Sequence, residues 1–141
     1  MTTKAKSKPT SLEQVLIDLV ASFMSTNGVG IQVGFPISQE LVNSKVFSFN
    51  DLPGDIAALD EDKIFEEITA KGYPRGPYVV RLIAGRISKS IEQINSQGGS
   101  VFLEELNSSG YSEVRSRLLP LYGVGEKFIE AYCLLADIQK S

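Results

Sequence analysis

The residues of this chain whose types and spacing could do chemistry lie near its C-terminus, between Leu119 and Tyr132. There two glycines, Gly123 and Gly125, flank Val124 between two stretches with the apolar spacing of helices. Glycine allows backbone torsions that other residues avoid, and it has no side chain to keep an anion away from the neighbouring amides. Amides at the start of a helix lack intrahelical partners, and the helix dipole adds positive potential there. The segment therefore predicts a phosphate-binding turn made by Gly123, Val124, Gly125 and Lys127, with nucleic-acid backbone as the anion.

The pattern Leu-x-Gly-Val-Gly-x-Lys-x-x-x-Ala, from Leu121 to Ala131, resembles the hairpin of helix-hairpin-helix proteins. It is most similar to the version in the DNA glycosylase superfamily that includes endonuclease III. The order of the helices expected before it is similar as well, so the resemblance spans roughly residues 11 to 139, although only the hairpin is a specific motif. The resemblance implies an all-α fold: a compact multi-helix domain like the six-helix lobe of these enzymes, with a C-terminal helix-hairpin-helix motif at about 112–136. It also implies contacts to DNA phosphates without sequence specificity, and a role in DNA repair.

The resemblance gives Lys127 a second interpretation. It occupies the position of the lysine that, in bifunctional members of the family, attacks the sugar and forms a Schiff base. Such an amine must be partly deprotonated, whereas the neighbouring Glu126 and Glu130 favour its charged form. The family's catalytic Asp follows the hairpin helix by about a helix and a turn; Asp137 comes too early for it, and the sequence stops at Ser141. We therefore expect binding without catalysis, with a DNA glycosylase/AP lyase as an alternative whose carboxylate comes from elsewhere, such as a dimer partner.

Length and composition restrict the class of protein. The 141 residues suit a polar N-terminal tail over 1–10, expected to be disordered, and a single helical domain over 11–141. With 43% hydrophobic and 22% charged residues and no apolar run long enough for a bilayer, the chain is expected to be soluble, without a membrane partner. Its single cysteine fits the reducing environment of the cytoplasm, so we expect a cytoplasmic protein. The absence of histidine and the single cysteine, Cys133, argue against zinc, a catalytic triad, disulfides and the family's iron–sulfur cluster. We expect neither metal nor cofactor.

The net charge of −3 is unfavourable for binding DNA, but the charge is unevenly distributed. Residues 1–70 carry 5 basic and 10 acidic side chains, and residues 71–141 carry 9 basic and 7 acidic ones. The hairpin lies in the basic half. A local positive face is therefore compatible with the sequence, and so is an ordinary solvated surface.

Helical patterns cover most of the chain. An apolar stripe predicts a helix from Leu12 to Phe23 with Ser11 as its N-cap. Asp60 is expected to cap a helix ending near Gly72, and a long helix is expected over 78–94. Further expectations are a helix through Val42 capped by Ser38, a turn at 51–55 before a short helix, Ser109 or Ser112 capping a helix through Leu119, and a core face of the long helix made of Val79, Leu82, Ile83, Ile87, Ile91 and Ile94.

A second Gly-Val-Gly occurs at residues 28–30. No clear helical pattern follows it, so we expect a loop or a short extended segment there rather than another hairpin. A second function also stays open, in which the same fold binds a protein partner instead of DNA. In that case the acidic N-terminal half and an exposed apolar cluster of Phe35, Val46, Phe47 and Phe49 would form the interaction surface.

Overall fold

The computed structural model describes residues 11–26, 28–44, 46–49, 56–58 and 60–139. This part of the chain forms seven helices and two short strands: α1 (Leu12–Phe23), α2 (Ile31–Asn43), β1 (Phe47–Phe49), β2 (Ile56–Ala58), α3 (Glu61–Ala70), α4 (Pro77–Ser96), α5 (Ser100–Asn107), α6 (Tyr111–Leu118) and α7 (Glu126–Leu135). The expected compact multi-helix domain is confirmed for these residues. The tail expected over 1–10 lies outside them.

Helix α1 is the central element of the core. Every residue from Val15 to Phe23 is buried, and the helix packs against α2, α4, α5 and α7. Its N-terminus forms as expected, because the Ser11 hydroxyl accepts a hydrogen bond from the Gln14 amide at 3.1 Å. The predicted bounds of this helix, Leu12 and Phe23, are confirmed.

Helix α2 replaces the loop expected after Gly30. The helix contains Gly34 and Pro36, two residues that usually break helices, and this is why the sequence pattern conceals it. Gly34 permits close packing on α1, since a Cβ atom there would lie 3.3 Å from the Ala21 carbonyl oxygen. Ser38 is not a cap: it is buried in the middle of α2 and donates to the Ile17 carbonyl at 2.6 Å.

A small antiparallel ladder joins β1 to β2, with Phe47 opposite Ala58 and Phe49 opposite Ile56. The side chain of Asn95 extends it from α4, accepting from the Ile56 amide at 2.7 Å and donating to the Ile56 carbonyl at 3.0 Å. The short helix expected after the turn is therefore wrong over 56–58, where the chain is a strand. The turn itself, 51–55, lies outside the described residues.

Helices α3 and α4 begin and end close to where their sequence signals place them. Asp60 caps α3 by accepting from the Lys63 amide at 2.9 Å, and Gly72 follows the helix with a φ of 78°. Pro77 is the first residue of α4. The core face of α4 differs from the expectation at Leu82, which is 39% exposed, whereas Val80 and Ala84 are buried instead.

The last three helices contain one correction. Helix α6 begins after Gly110, not after a serine cap, and Ser112 lies inside the helix. Ser109 is buried and donates to the Glu105 carbonyl at 2.6 Å, so it belongs to the end of α5. In α7 the buried residues are Phe128, Ile129, Tyr132 and Cys133. Within the described residues, no helix is both long enough and apolar enough to span a bilayer.

Candidate nucleic-acid interface

The turn between α6 and α7 has the backbone geometry that its glycines permit. Gly123 has a φ of 78°, a left-handed conformation that other residues adopt at a cost. Gly125 is extended, with a φ of −136°, and is the N-cap of α7 without a side chain to cap the helix. The Val124 amide donates to the Leu121 carbonyl at 3.2 Å, which closes the turn. Gly123, Val124 and Gly125 thus lead directly into the helix that carries Lys127.

The start of α7 presents unused hydrogen-bond donors. Among the described residues, the amides of Gly125 and Lys127 have no hydrogen-bond partner. This is expected for the first amides of a helix that has no capping side chain. A Cβ atom built on Gly125 would have no other atom within 4 Å, so the space beside this glycine is open. An anion can therefore reach the amides at the positive end of the α7 dipole.

The turn is held in place by α4. Gln93 accepts from the Tyr122 amide at 2.6 Å and donates to the Pro120 carbonyl at 3.4 Å. Ser90, buried on the same helix, donates to the Tyr122 carbonyl at 2.9 Å. These bonds pair the Pro120 carbonyl and the Tyr122 amide and carbonyl, which directly precede Gly123. They therefore fix the conformation of the turn in the absence of a ligand.

Three cations border the turn. The side chain of Arg86 lies against Gly123, because a Cβ atom there would be 2.6 Å from the Arg86 Cγ. The Lys89 ammonium lies 4.8 Å from the centre of the Tyr122 ring, and Lys127 is exposed on the first turn of α7. Arg86, Lys89 and Lys127 form no salt bridge within the part of the chain that the structure describes. Their charge therefore remains available to an anion.

Other basic residues of the C-terminal half are neutralised locally. Arg81 pairs with Asp62 at 2.6 Å, and Arg117 pairs with Glu105 at 3.2 Å. Arg115 donates to the carboxylate of Glu126, which raises the pKa of the guanidinium. This last pair matters for the turn, since it offsets the one acidic side chain at the N-terminus of α7.

The Gly-Val-Gly at 28–30 is a second turn of the same kind, contrary to the expectation of a loop without a following helix. Gly28 has a φ of 74°, and Gly30 is the extended N-cap of α2. Seven residues separate α1 from α2, and seven separate α6 from α7. The repeated Gly-Val-Gly was the signal that could have predicted it.

The turn of residues 28–30, which comes first in the chain, is supported by the segment that leads into α4. The Tyr73 hydroxyl donates to the Met24 carbonyl at 2.6 Å, and an Arg75 guanidinium nitrogen lies 3.1 Å from where a Gly28 Cβ would sit. Helix α4 therefore begins beside the turn of residues 28–30 and, nine residues later at Arg86, touches the turn of residues 123–125. The structure brings both glycine turns to one helix.

The structure offers little support for a catalytic role of Lys127. Its side chain is exposed, and Asp137 is also exposed, two residues after the end of α7. Over the described ranges, no group of three or more cysteine, aspartate or glutamate side chains could hold a metal ion.

Comparison of the chain with protein-family models, with curated proteins and with solved structures finds no match.

Proposed function

We propose that this protein binds the phosphate backbone of DNA without sequence specificity, through a helix-hairpin-helix motif formed by α6, the Gly123 to Gly125 turn and α7. The observation that carries the proposal is the open amide group of Gly125 next to three unpaired cations, Arg86, Lys89 and Lys127. Backbone amides and flexible cations recognise phosphate but do not read base edges. We also propose that the helical domain of this protein resembles one lobe of the helix-hairpin-helix DNA glycosylases.

The alternative of a protein-binding surface loses its main support. That interpretation requires an exposed cluster around Phe35, Val46 and Phe47. In the structure Val46 is 8% exposed and Phe47 is 1% exposed, and Phe35 is half-buried. The side chain of Phe49, the fourth member of the cluster, lies outside the described residues. Arg86, Lys89 and Lys127, which form no salt bridge among the described residues, border the turn of residues 123–125 instead, away from this cluster in the sequence.

The overall charge of −3 sets the conditions under which binding is measurable. Repulsion by the acidic half weakens the complex, so binding is expected to be observable mainly at low salt. If the three cations each neutralise one phosphate of duplex DNA, the logarithm of the binding constant falls with the logarithm of salt concentration with a slope of roughly −2.7.

The test is fluorescence anisotropy with a labelled duplex at several salt concentrations, comparing the parent with Gly125→Val. A Cβ atom built on Gly125 meets no other atom within 4 Å, and the extended φ of −136° suits valine, so the variant is expected to fold normally. The new methyl groups occupy the space that a phosphate needs, so binding should fall about tenfold or more.

Gly76→Val is the matched control. Gly76 is also an extended N-cap glycine with no atom within 4 Å of a built Cβ, but the next residue is Pro77, which has no amide hydrogen to offer an anion. If Gly125→Val folds and binds duplex as well as the parent and Gly76→Val do, the hairpin proposal is wrong. A reaction with abasic DNA in the presence of borohydride adds the test for the lyase alternative, because an adduct that Lys127→Ala abolishes would establish Lys127 as a nucleophile.

A further inference from the structure

One face of α4 carries a stripe of apolar and basic side chains, three of them exposed and one, Arg86, half-buried. Tyr78, Leu82, Arg86 and Lys89 follow one another at intervals of four, four and three residues, which places them on the same side of the helix. Tyr78 is 77% exposed and Leu82 is 39% exposed. We call these four residues the α4 stripe. Four residues beyond Lys89, the same side of the helix carries Gln93, which bonds the Tyr122 amide in the second glycine turn.

The charges on the two flanks of α4 differ. On one flank, Arg81 is paired with Asp62 and lies 3.8 Å from Glu61 of α3, so the positive charge there is cancelled. On the flank toward the second glycine turn, Arg86 and Lys89 have no acidic partner among the described residues. The α4 stripe is thus a surface that combines exposed apolar area with uncancelled positive charge.

Exposed apolar area together with positive charge favours one kind of ligand over others. A duplex presents phosphates and sugars to such a surface, and a tyrosine ring and a leucine gain little from them. A protein partner would have to be acidic as well as apolar. An unpaired nucleotide supplies both features at once, because its base stacks on an aromatic ring and its phosphate meets a cation.

The positions of the aromatic rings support the same occupant. Tyr78 lies near the start of α4, close in sequence to Arg75 beside the first turn, and Tyr122, which is 49% exposed, lies next to Lys89 in the second turn. From Tyr78 to Lys89 the helix rises about 16 Å. At a stacked spacing of about 3.4 Å this length accommodates roughly five nucleotides of one strand.

We propose that the α4 stripe, together with Tyr122, binds unpaired bases, so that the preferred ligand is DNA with a single-stranded stretch rather than intact duplex. The inference rests on the proposed function, because it extends the phosphate site at the Gly125 turn along α4. In it, Tyr78 and Tyr122 are stacking platforms and Arg86 and Lys89 are phosphate contacts.

The experiment measures anisotropy with three labelled DNAs of one sequence: an intact duplex, the same duplex with a central gap of five nucleotides, and the single strand. The parent is expected to bind the gapped duplex and the single strand about tenfold more tightly than the intact duplex. Tyr78→Ala should lose most of this preference while its binding to intact duplex stays unchanged. Tyr78→Phe, which keeps the ring, should retain the preference.

Salt dependence separates the two kinds of contact. Stacking involves no ion release, so Tyr78→Ala should lower single-strand affinity without changing the salt slope, whereas Arg86→Gln and Lys89→Gln should each reduce the slope by about 0.7. Leu134→Ala is the control for removal of an exposed apolar side chain, since Leu134 is 68% exposed on α7 rather than on α4. It should bind all three DNAs as the parent does.

The outcomes distinguish this inference from the proposed function. If the parent binds all three DNAs equally and Tyr78→Ala binds them as the parent does, the stripe proposal is wrong and backbone binding at the hairpin stands. If the parent binds none of them even at low salt, both proposals are wrong. If Tyr78→Ala changes the sedimentation of the protein and not its DNA binding, the stripe is an interface between protein chains, which also overturns the inference.

Discussion

The ring of Phe23, the last residue of α1, meets the ring of Phe128 in the first turn of α7 edge to face, with centroids 4.6 Å apart and planes at 63°. Phe23 immediately precedes the segment that contains the first Gly-Val-Gly, and Phe128 comes three residues after Gly125 of the second. This contact therefore joins the two glycine turns across the core. Both rings are almost fully buried, at 4% and 1% exposure.

Phe128→Ala is expected to destabilise the protein by about 3–5 kcal/mol, the usual loss for a buried phenylalanine. Urea unfolding followed by circular dichroism measures this change. Combining it with Phe23→Ala in a double-mutant cycle should give a coupling of about 0.5–1.5 kcal/mol for the edge-to-face pair. Phe65→Ala is the control: Phe65 is only half-buried, so its loss should cost clearly less. A coupling energy of zero in the cycle would show that the ring contact adds nothing to the burial of the two rings, and equal losses at Phe128 and Phe65 would contradict their different burial.

Adding one methyl group should destabilise the protein at Gly123 but hardly affect its stability at Gly125. Gly123→Ala forces an alanine into a φ of 78° and pushes against the Arg86 stem, so we expect a loss of about 1–2 kcal/mol from the backbone alone. Gly125→Ala adds its methyl to open space in an extended conformation and should change stability by less than about 0.5 kcal/mol. Thermal or urea unfolding of the two variants makes the comparison. A Gly123→Ala variant as stable as Gly125→Ala would be inconsistent with a left-handed backbone at Gly123.

The sequence predicts an element well when its local signals and its environment agree. The Ser11 cap and the helical spacing of the apolar residues predict α1 correctly, because the cap forms and those apolar residues are buried in the core. Helix α2 could not be predicted in this way: Gly34 and Pro36 look like helix breakers, and only the packing of Gly34 on Ala21 explains the glycine. The same limit applies to the site. The local pattern gives Gly123, Gly125 and Lys127, but not the role of Arg86, which depends on how α4 packs against a turn more than thirty residues later.

Tyr132→Phe is expected to stabilise the protein by about 1 kcal/mol. The Tyr132 hydroxyl is fully buried, and within the described residues it has no hydrogen-bond partner, so its desolvation is not offset. Tyr73→Phe is a control with the opposite expected sign, because the buried Tyr73 hydroxyl donates to the Met24 carbonyl at 2.6 Å. Its removal leaves that carbonyl without the bond and should cost about 1 kcal/mol. Urea unfolding of both variants gives the two signs, and a destabilised Tyr132→Phe would mean that this hydroxyl is bonded in solution.

Alkaline pH should destabilise the fold through Cys133. Burial raises the pKa of this thiol from 9.0 to about 11, so the folded protein holds its proton more tightly than the unfolded chain does. The stabilisation from the neutral buried thiol is therefore fully present below about pH 9, where both states are protonated. It is lost as the pH rises from about 9 to about 11, because the unfolded state is ionised first.

The measurement compares the free energy of unfolding of the parent and Cys133→Ala across this range. Tyr132, whose pKa is raised by burial and then by the charges of Asp18 and Cys133, contributes a loss in the same direction at higher pH. That loss is common to both proteins, apart from the small contribution of Cys133 itself, so it largely cancels in the difference. The stability advantage of the parent over Cys133→Ala should shrink between about pH 9 and 11. A difference that stays constant through this interval would place the thiol in a solvated environment, contrary to its burial beside Tyr132 in α7.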